Sequence, residues 1–143
     1  MGQLRWRLTV AMALLLWSAL PAHGQDEPGA APVLVFFDWG KPEIGGDAAA
    51  VLDAVAASVR ATPALRLRLS GHSDRSGGTT GNRRSASRRA DAVAAYLAER
   101  GVPRRTMTLA SFGEEQPLIP TEDGVREPQN RRVEIQFART AAQ

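Results

Sequence analysis

The chain has 143 residues, 43% of them hydrophobic, with a formal net charge of +3 and no cysteine. That is enough apolar material for one core and one domain, and it excludes disulfides and a lipid attached through cysteine. Net charge this small gives no general reason to bind polyanions, so the distribution of charge carries the information.

Residues 1–24 read as a secretory signal. Arg5 and Arg7 form a charged start, Leu8 to Leu20 is an apolar run too short to span a bilayer comfortably, and Pro21 breaks it. Ala22-His23-Gly24 then places small residues at a cleavage position, which predicts a cut near Gly24–Gln25. An uncleaved anchor is the rival reading. The mature chain runs from Gln25 to Gln143, 119 residues, and loss of Arg5 and Arg7 lowers the formal charge from +3 to +1. It has no transmembrane span.

Residues 25–32 are a flexible Pro/Ala/Gly leader. Val33 to Phe37 is a continuous apolar run, read as a buried strand and ended by Asp38-Trp39-Gly40-Lys41-Pro42. Asp47 is placed to cap a helix over Ala48 to Arg60, with Val51, Leu52, Val55 and Val59 on its apolar face. After Pro63, Leu65 to Ser70 alternates leucine with arginine, the mark of a half-buried strand. A Gly-rich turn leads to a second helix starting near Asn82 or Ser85 and running to Arg100, with Ala86, Ala90, Val93 and Leu97 inward. Gly101 suits its C-terminal cap and Pro103 follows. Met107 to Phe112 is a third strand, 113–129 a polar loop, and Arg132 to Phe137 a last strand, with the chain frayed from Ala138 and a disordered tail over 139–143. The order β-α-β-α-β-loop-β predicts an α+β fold, a mixed four-stranded sheet with two helices on one face.

Eleven arginines lie between Arg60 and Arg105 against Asp74, Asp91 and Glu99, whereas Thr106 to Glu127 carries five acids and one arginine. This places a basic half of the molecule around the turn after Gly71 and favours an anionic partner. A secretion signal argues against nucleic acid and for an anionic polymer of the cell envelope.

Asp74 and Arg89 are the sharpest pair. Asp74 lies just past a strand end, and Arg89 about two turns into the next helix. Held apart on a rigid frame, they clamp a zwitterion, Asp74 taking an ammonium and Arg89 a carboxylate by its bidentate fork; held together, they simply pair and tie helix to strand. Asn82 either caps the second helix or holds the loop, where free N–H groups can meet a carboxylate. Arg131 and Arg132 either flank the Asp74 turn or pair with the acidic loop Glu114–Glu127. Asp38 either caps its own turn or joins the same site. His72 has no second histidine in the mature chain and reads as a hydrogen-bonding core residue, not as a metal ligand. No Gly-x-Ser-x-Gly occurs, so neither an enzymatic activity nor a cofactor is expected.

Gly71-His72-Ser73-Asp74, Gly77, Asn82, Arg89-Ala90, Val93, Tyr96-Leu97, Gly101-Val102, Phe112-Gly113-Glu114, Pro117 and Asn130-Arg131-Arg132-Val133-Glu134, in that order, resemble the OmpA-like C-terminal domain over Val33 to Phe137. The domain boundaries implied are 33–138. The resemblance implies an OmpA-like β-α-β-α-β-β sandwich that binds peptidoglycan non-covalently, with Asp74 and Arg89 gripping the diaminopimelate of the stem peptide and Asn82, Asp38 and Arg131 matching further site positions. It also implies a location in the periplasm, against the cell wall and outer membrane, or a variant use as a module for another envelope protein. Three departures stand out. Ser73 replaces the usual threonine, Gly81 stands where a bulky residue is common, and Ser85-Ala86 stands where Leu-Ser is common, which predicts a looser loop.

Overall fold

A computed structural model describes residues 30–139; the signal segment, the first part of the leader and residues 140–143 lie outside the described residues. Six main elements follow in order: β1 (Val33–Phe36), α1 (Gly46–Ala61), β2 (Leu65–His72), α2 (Thr79–Glu99), β3 (Met107–Gly113) and β4 (Arg132–Arg139). Short 3-10 turns at Arg104–Thr106 and Pro128–Asn130 lead into β3 and β4. The sheet order is β1-β4-β2-β3, with β2 and β3 parallel and β4 antiparallel to both of its neighbours. Both helices pack on one face, as expected.

The alternation along β2 sends Leu67 and Leu69 into the core beside Val133 and Ile135 of β4 and Val35 of β1. Leu52, Val55 and Val59 of α1 and Ala90, Val93 and Leu97 of α2 close that core from above. The stripe on α1 is rotated from the expected one. Ala48 and Ala56 are buried, while Val51 is 36% exposed, because Leu52 and Val55 already fill the line facing the sheet. Gly45 rather than Asp47 is the N-cap of α1, and Asp47 falls in the first turn, where its charge complements the helix dipole.

Three element ends differ from expectation for tertiary reasons. β2 continues through Gly71 and His72 because Val133 and Gly113 pair with them. β4 reaches Arg139 instead of fraying at Ala138, since Arg66 and Leu65 supply partners there. α2 starts at Thr79, ahead of Asn82, with Gly78 as N-cap. Its C-terminus does follow the glycine signal: Gly101, at φ +87°, lets Val102 N–H reach the Leu97 carbonyl at 3.1 Å and Gly101 N–H reach that of Ala98 at 3.1 Å.

Gly71 sets the distance between sheet and helix. A Cβ there would stand 2.1 Å from the Ala86 carbonyl oxygen, so only glycine lets α2 lie this close to the end of β2. Arg89, one turn beyond Ala86, is thereby carried to the mouth of the β2–α2 turn. Among the described residues, no helix is long and apolar enough to cross a membrane.

Candidate functional site

Asp74 leaves the end of β2 with its carboxylate 3% exposed. Oδ1 accepts from Ser76 Oγ at 2.6 Å and from Ser76 N–H at 3.2 Å, and Oδ2 accepts from Arg131 Nη1 at 3.0 Å. Burial pushes this carboxyl up, but the bonds from Ser76 and Arg131 outweigh it and hold it below the ordinary value. Arg131 also donates through Nε to the Phe37 carbonyl, so one guanidinium ties the turn to the end of β1.

The two arrangements open for Asp74 and Arg89 are now separable. They do not pair: the ion pair of Asp74 is with Arg131. Arg89 is 2% exposed, donates one bond at 3.2 Å to the His72 carbonyl and sits 5.8 Å over the Phe37 ring. Its Nε has no partner, and among the described residues it makes no ion pair. Burial and the nearby Arg131 disfavour its charged form, against the attraction of Asp74. A buried guanidinium without a carboxylate is costly, and it is chemically disposed to take one.

Asn82 does not cap α2. Its side-chain amide donates to the Gly77 carbonyl at 2.9 Å and to Glu114, while its own N–H is used by the Gly78 carbonyl. Thr79 donates to the same Glu114 carboxylate. Asn82 therefore holds the loop and binds the start of α2 to the end of β3, which explains why helix forms over Thr79–Gly81 despite poor propensity.

Asp38 is exposed just past β1, and its carboxylate makes no hydrogen bond or ion pair among the described residues; only its backbone carbonyl closes the turn, accepting from Lys41 at 3.3 Å. The next residue, Trp39, donates from its indole to Ser76 Oγ at 3.2 Å and carries Arg126 stacked at 3.8 Å over its ring. Sequence reasoning singled out neither Ser76 nor Trp39 as a support for the turn. A groove of about 930 Å³ opens beside this end, lined by Phe37, Asp38, Lys41, Ile44, Val51 and Arg131 among others; Asp74 and Arg89 lie outside it.

Arg132 is buried and pairs with Glu134 at 2.6 Å within its own strand; it makes no ion pair with the acidic loop among the described residues but donates to the Gln116 carbonyl of that loop at 3.1 Å. His72 is stacked on Phe112, centroids 5.4 Å apart, with Glu134 3.8 Å from Nε2. Neither ring nitrogen of His72 has a hydrogen bond of ordinary geometry among the described residues, the Gln116 backbone being its polar neighbour, and the ring is packed in the interior. Burial, aided by Arg132 and opposed by Glu134 and the Gln116 backbone, lowers its pKa from 6.5 to about 4. At Gly81 a Cβ would meet nothing within 4 Å, so the backbone there is not crowded.

The basic half is also placed differently from the sequence expectation. Acids of the loop before β4 fold back onto the turn, Asp123 pairing with Arg75 and Glu115 with Arg83. Arg84 and Arg88 are exposed on the outer side of α2 and make no ion pair among the described residues. Among the described residues, no group of three or more His, Cys, Asp or Glu side chains is placed to hold a metal ion.

With this geometry in view, the profile of the OmpA family matches residues 36–131. The peptidoglycan-associated lipoprotein of Haemophilus influenzae is 37% identical over 103 residues, covering 72% of this chain and 67% of that one. An outer membrane protein of Gluconacetobacter diazotrophicus is 36% identical over 108 residues, but the match spans only 29% of its length. Among solved structures, the peptidoglycan-associated lipoprotein of Burkholderia pseudomallei superposes with a TM-score of 0.69 at 27% identity, covering 73% of this chain and 89% of that one. The C-terminal domain of Helicobacter pylori MotB shares the fold, with a TM-score of 0.66 at 24% identity over 79% of this chain and 88% of that one.

Proposed function

Because this chain belongs to the OmpA family, we propose that it binds peptidoglycan non-covalently and without enzymatic activity, through the diaminopimelate of the stem peptide. Arg89 takes the carboxylate of that zwitterionic end, and Asp74 takes its ammonium. Arg131 fixes Asp74 in place, Asn82 holds the loop between them, and Asp38 stands at the rim with a free carboxylate. The single observation that carries the reading is Arg89, a guanidinium 2% exposed with no ion-pair partner among the described residues. A fold that only needed a structural arginine here gains nothing from leaving it unpaired. The place of action is the periplasm, where the domain links the envelope to the wall.

The test is sedimentation of residues 25–143 with purified diaminopimelate-type sacculi, beside Asp74→Asn and Arg89→Met, with circular dichroism as the check on folding. Wild type pellets, both folded variants stay in the supernatant, and free diaminopimelate releases the wild type. Pelleting of both variants like wild type would remove the site assignment. A second reading, a module for another envelope protein, draws on the groove beside β1, where Phe36 is 46% exposed and Val51 lines the wall. Capture of a protein partner by a form that ignores sacculi would favour it.

A further inference from the structure

Trp39 is 52% exposed, yet it is held from two sides. It lies just past the end of β1, and its indole N–H crosses to the β2–α2 turn, where it donates to Ser76 Oγ at 3.2 Å. The guanidinium of Arg126, from the loop before β4, stacks 3.8 Å over its ring. That loop is itself fastened to the turn. Gly124 N–H donates to the Arg75 carbonyl at 2.7 Å, Arg75 Nη1 donates to the Thr121 carbonyl at 3.2 Å, and Arg75 pairs with Asp123. Three segments distant in the chain thus meet around Ser76.

The Ser76 hydroxyl has a fixed direction. An indole N–H only donates, and a carboxylate only accepts. Ser76 Oγ therefore accepts from Trp39 and gives its own proton to Asp74 Oδ1, at 2.6 Å, the short distance of a charge-assisted bond. A hydroxyl that accepts one bond donates the next more strongly, so the two bonds reinforce each other. Together with the Ser76 N–H, at 3.2 Å, the hydroxyl fills Oδ1. What Asp74 has left to offer lies on Oδ2, the oxygen that Arg131 holds at 3.0 Å. Without the indole, the hydroxyl is free to turn toward water, and the carboxylate loses the stronger of its two anchors on Oδ1.

We propose that Trp39 is a positioning residue: acting through Ser76, it holds the Asp74 carboxylate so that Oδ2 is presented to the ligand ammonium. This rests on the peptidoglycan reading, which assigns Asp74 to that ammonium. Other roles for an exposed tryptophan here make different demands. A platform that touched the ligand would not need the Ser76 hydroxyl, and a plain brace between loops would not report the charge of Asp74.

The core lies wholly between Val35 and Ile135, so residues 25–143 carry all of it, and Trp39 is the only tryptophan among them. Its indole N–H gives a single side-chain signal in a nitrogen–proton NMR spectrum of that fragment. Trp39→Phe, Ser76→Ala and Ser76→Thr are compared with wild type, with circular dichroism as the check on folding. Ser76→Ala moves the indole signal upfield, as an N–H moves on losing its acceptor, and Ser76→Thr leaves it near its wild-type position. Asp74→Asn moves it too, although the carboxylate bonds Ser76 and Arg131 and not the indole; in the Ser76→Ala background the same change moves it far less. On diaminopimelate-type sacculi, Trp39→Phe weakens binding by about fivefold, the worth of one hydrogen bond. Ser76→Ala weakens it at least as much, Ser76→Thr binds like wild type, and the double variant Trp39→Phe, Ser76→Ala is no weaker than Ser76→Ala alone. Wild-type binding by Ser76→Ala beside a loss in Trp39→Phe overturns the proposal in favour of direct contact with the ligand, as do additive losses in the double variant. An indole signal indifferent to Asp74→Asn also overturns it and leaves Trp39 a brace. A wild type that ignores sacculi removes the peptidoglycan reading, whereas the indole signal, read without any ligand, still decides whether Trp39 holds Asp74; the two failures are thus told apart.

Discussion

Replacing Arg89 by Met should stabilise the fold while removing wall binding. The side chain is 2% exposed, and its environment disfavours the charge: burial and Arg131 outweigh Asp74. Burying a charge costs several kcal/mol in real proteins even after relaxation. Against that stand one charged hydrogen bond to the His72 carbonyl, worth about 2 kcal/mol, and the contact with the Phe37 ring, worth about 1 kcal/mol. Methionine keeps the length and apolar stem of the side chain and removes both sides of that balance. The expected net is a gain of about 1 kcal/mol, seen as a rise of roughly 5 °C in Tm for a domain this size. Urea titration and thermal melts give the stability, and sacculus sedimentation gives the binding. The expected signature is opposite signs, with stability up and binding down by about a hundredfold, in line with a desolvated charge contact of about 3 kcal/mol. A variant that is less stable than wild type yet still pellets would refute the reasoning, since Arg89 would then be a structural brace.

Three other outcomes follow from the same geometry. Gly71→Ala puts a Cβ 2.1 Å from the Ala86 carbonyl, a backbone atom that cannot step aside, so α2 must shift; melts should show a loss of about 3 kcal/mol, and binding should weaken because Arg89 moves with the helix. Gly81→Tyr points into open space and should leave both stability and sedimentation unchanged within error. His72 gives a pH dependence. Its folded pKa, about 4, lies below the ordinary 6.5, so folding favours the neutral ring; the contribution is whole above pH 6.5 and is lost as pH falls toward 4. At about 1.4 kcal/mol per unit, the loss is about 3 kcal/mol, and His72→Phe should flatten the fall in urea midpoint between pH 6.5 and 4.

Elements were legible in the sequence wherever a local pattern decides burial. Leu65, Leu67 and Leu69 announce β2, and Gly101 announces the end of α2, because pleat and helix cap are set by neighbours in the chain. What escaped was set by partners far away. The start of α2 depends on Glu114, 32 residues beyond Asn82, and the pairing of Asp74 depends on Arg131, 57 residues on. Charge misled for the same reason. A run of arginines along the chain was dispersed because successive elements cross the sheet in opposite directions, while the acidic loop before β4 returned to neutralise Arg75 and Arg83. The family resemblance brought Asp74, Arg89 and Arg131 together as site positions; chain spacing alone left their pairing open.

Under the proposed function, that pairing accounts for a preference of this small turn for a zwitterion. Asp74 lies between two guanidiniums but bonds only Arg131, which leaves three buried groups with one excess positive charge. A ligand carrying only an ammonium would have to compete with Arg131 for Asp74 and would leave Arg89 uncompensated. A ligand carrying only a carboxylate would satisfy Arg89 but make nothing of the remaining lone pairs on Asp74. A group with both, at one carbon, meets each demand without breaking the Asp74–Arg131 bond that ties the turn to β1. On that reading Arg131, just ahead of β4, serves recognition without touching the ligand, by holding the Asp74 carboxylate so that it does not pair with Arg89.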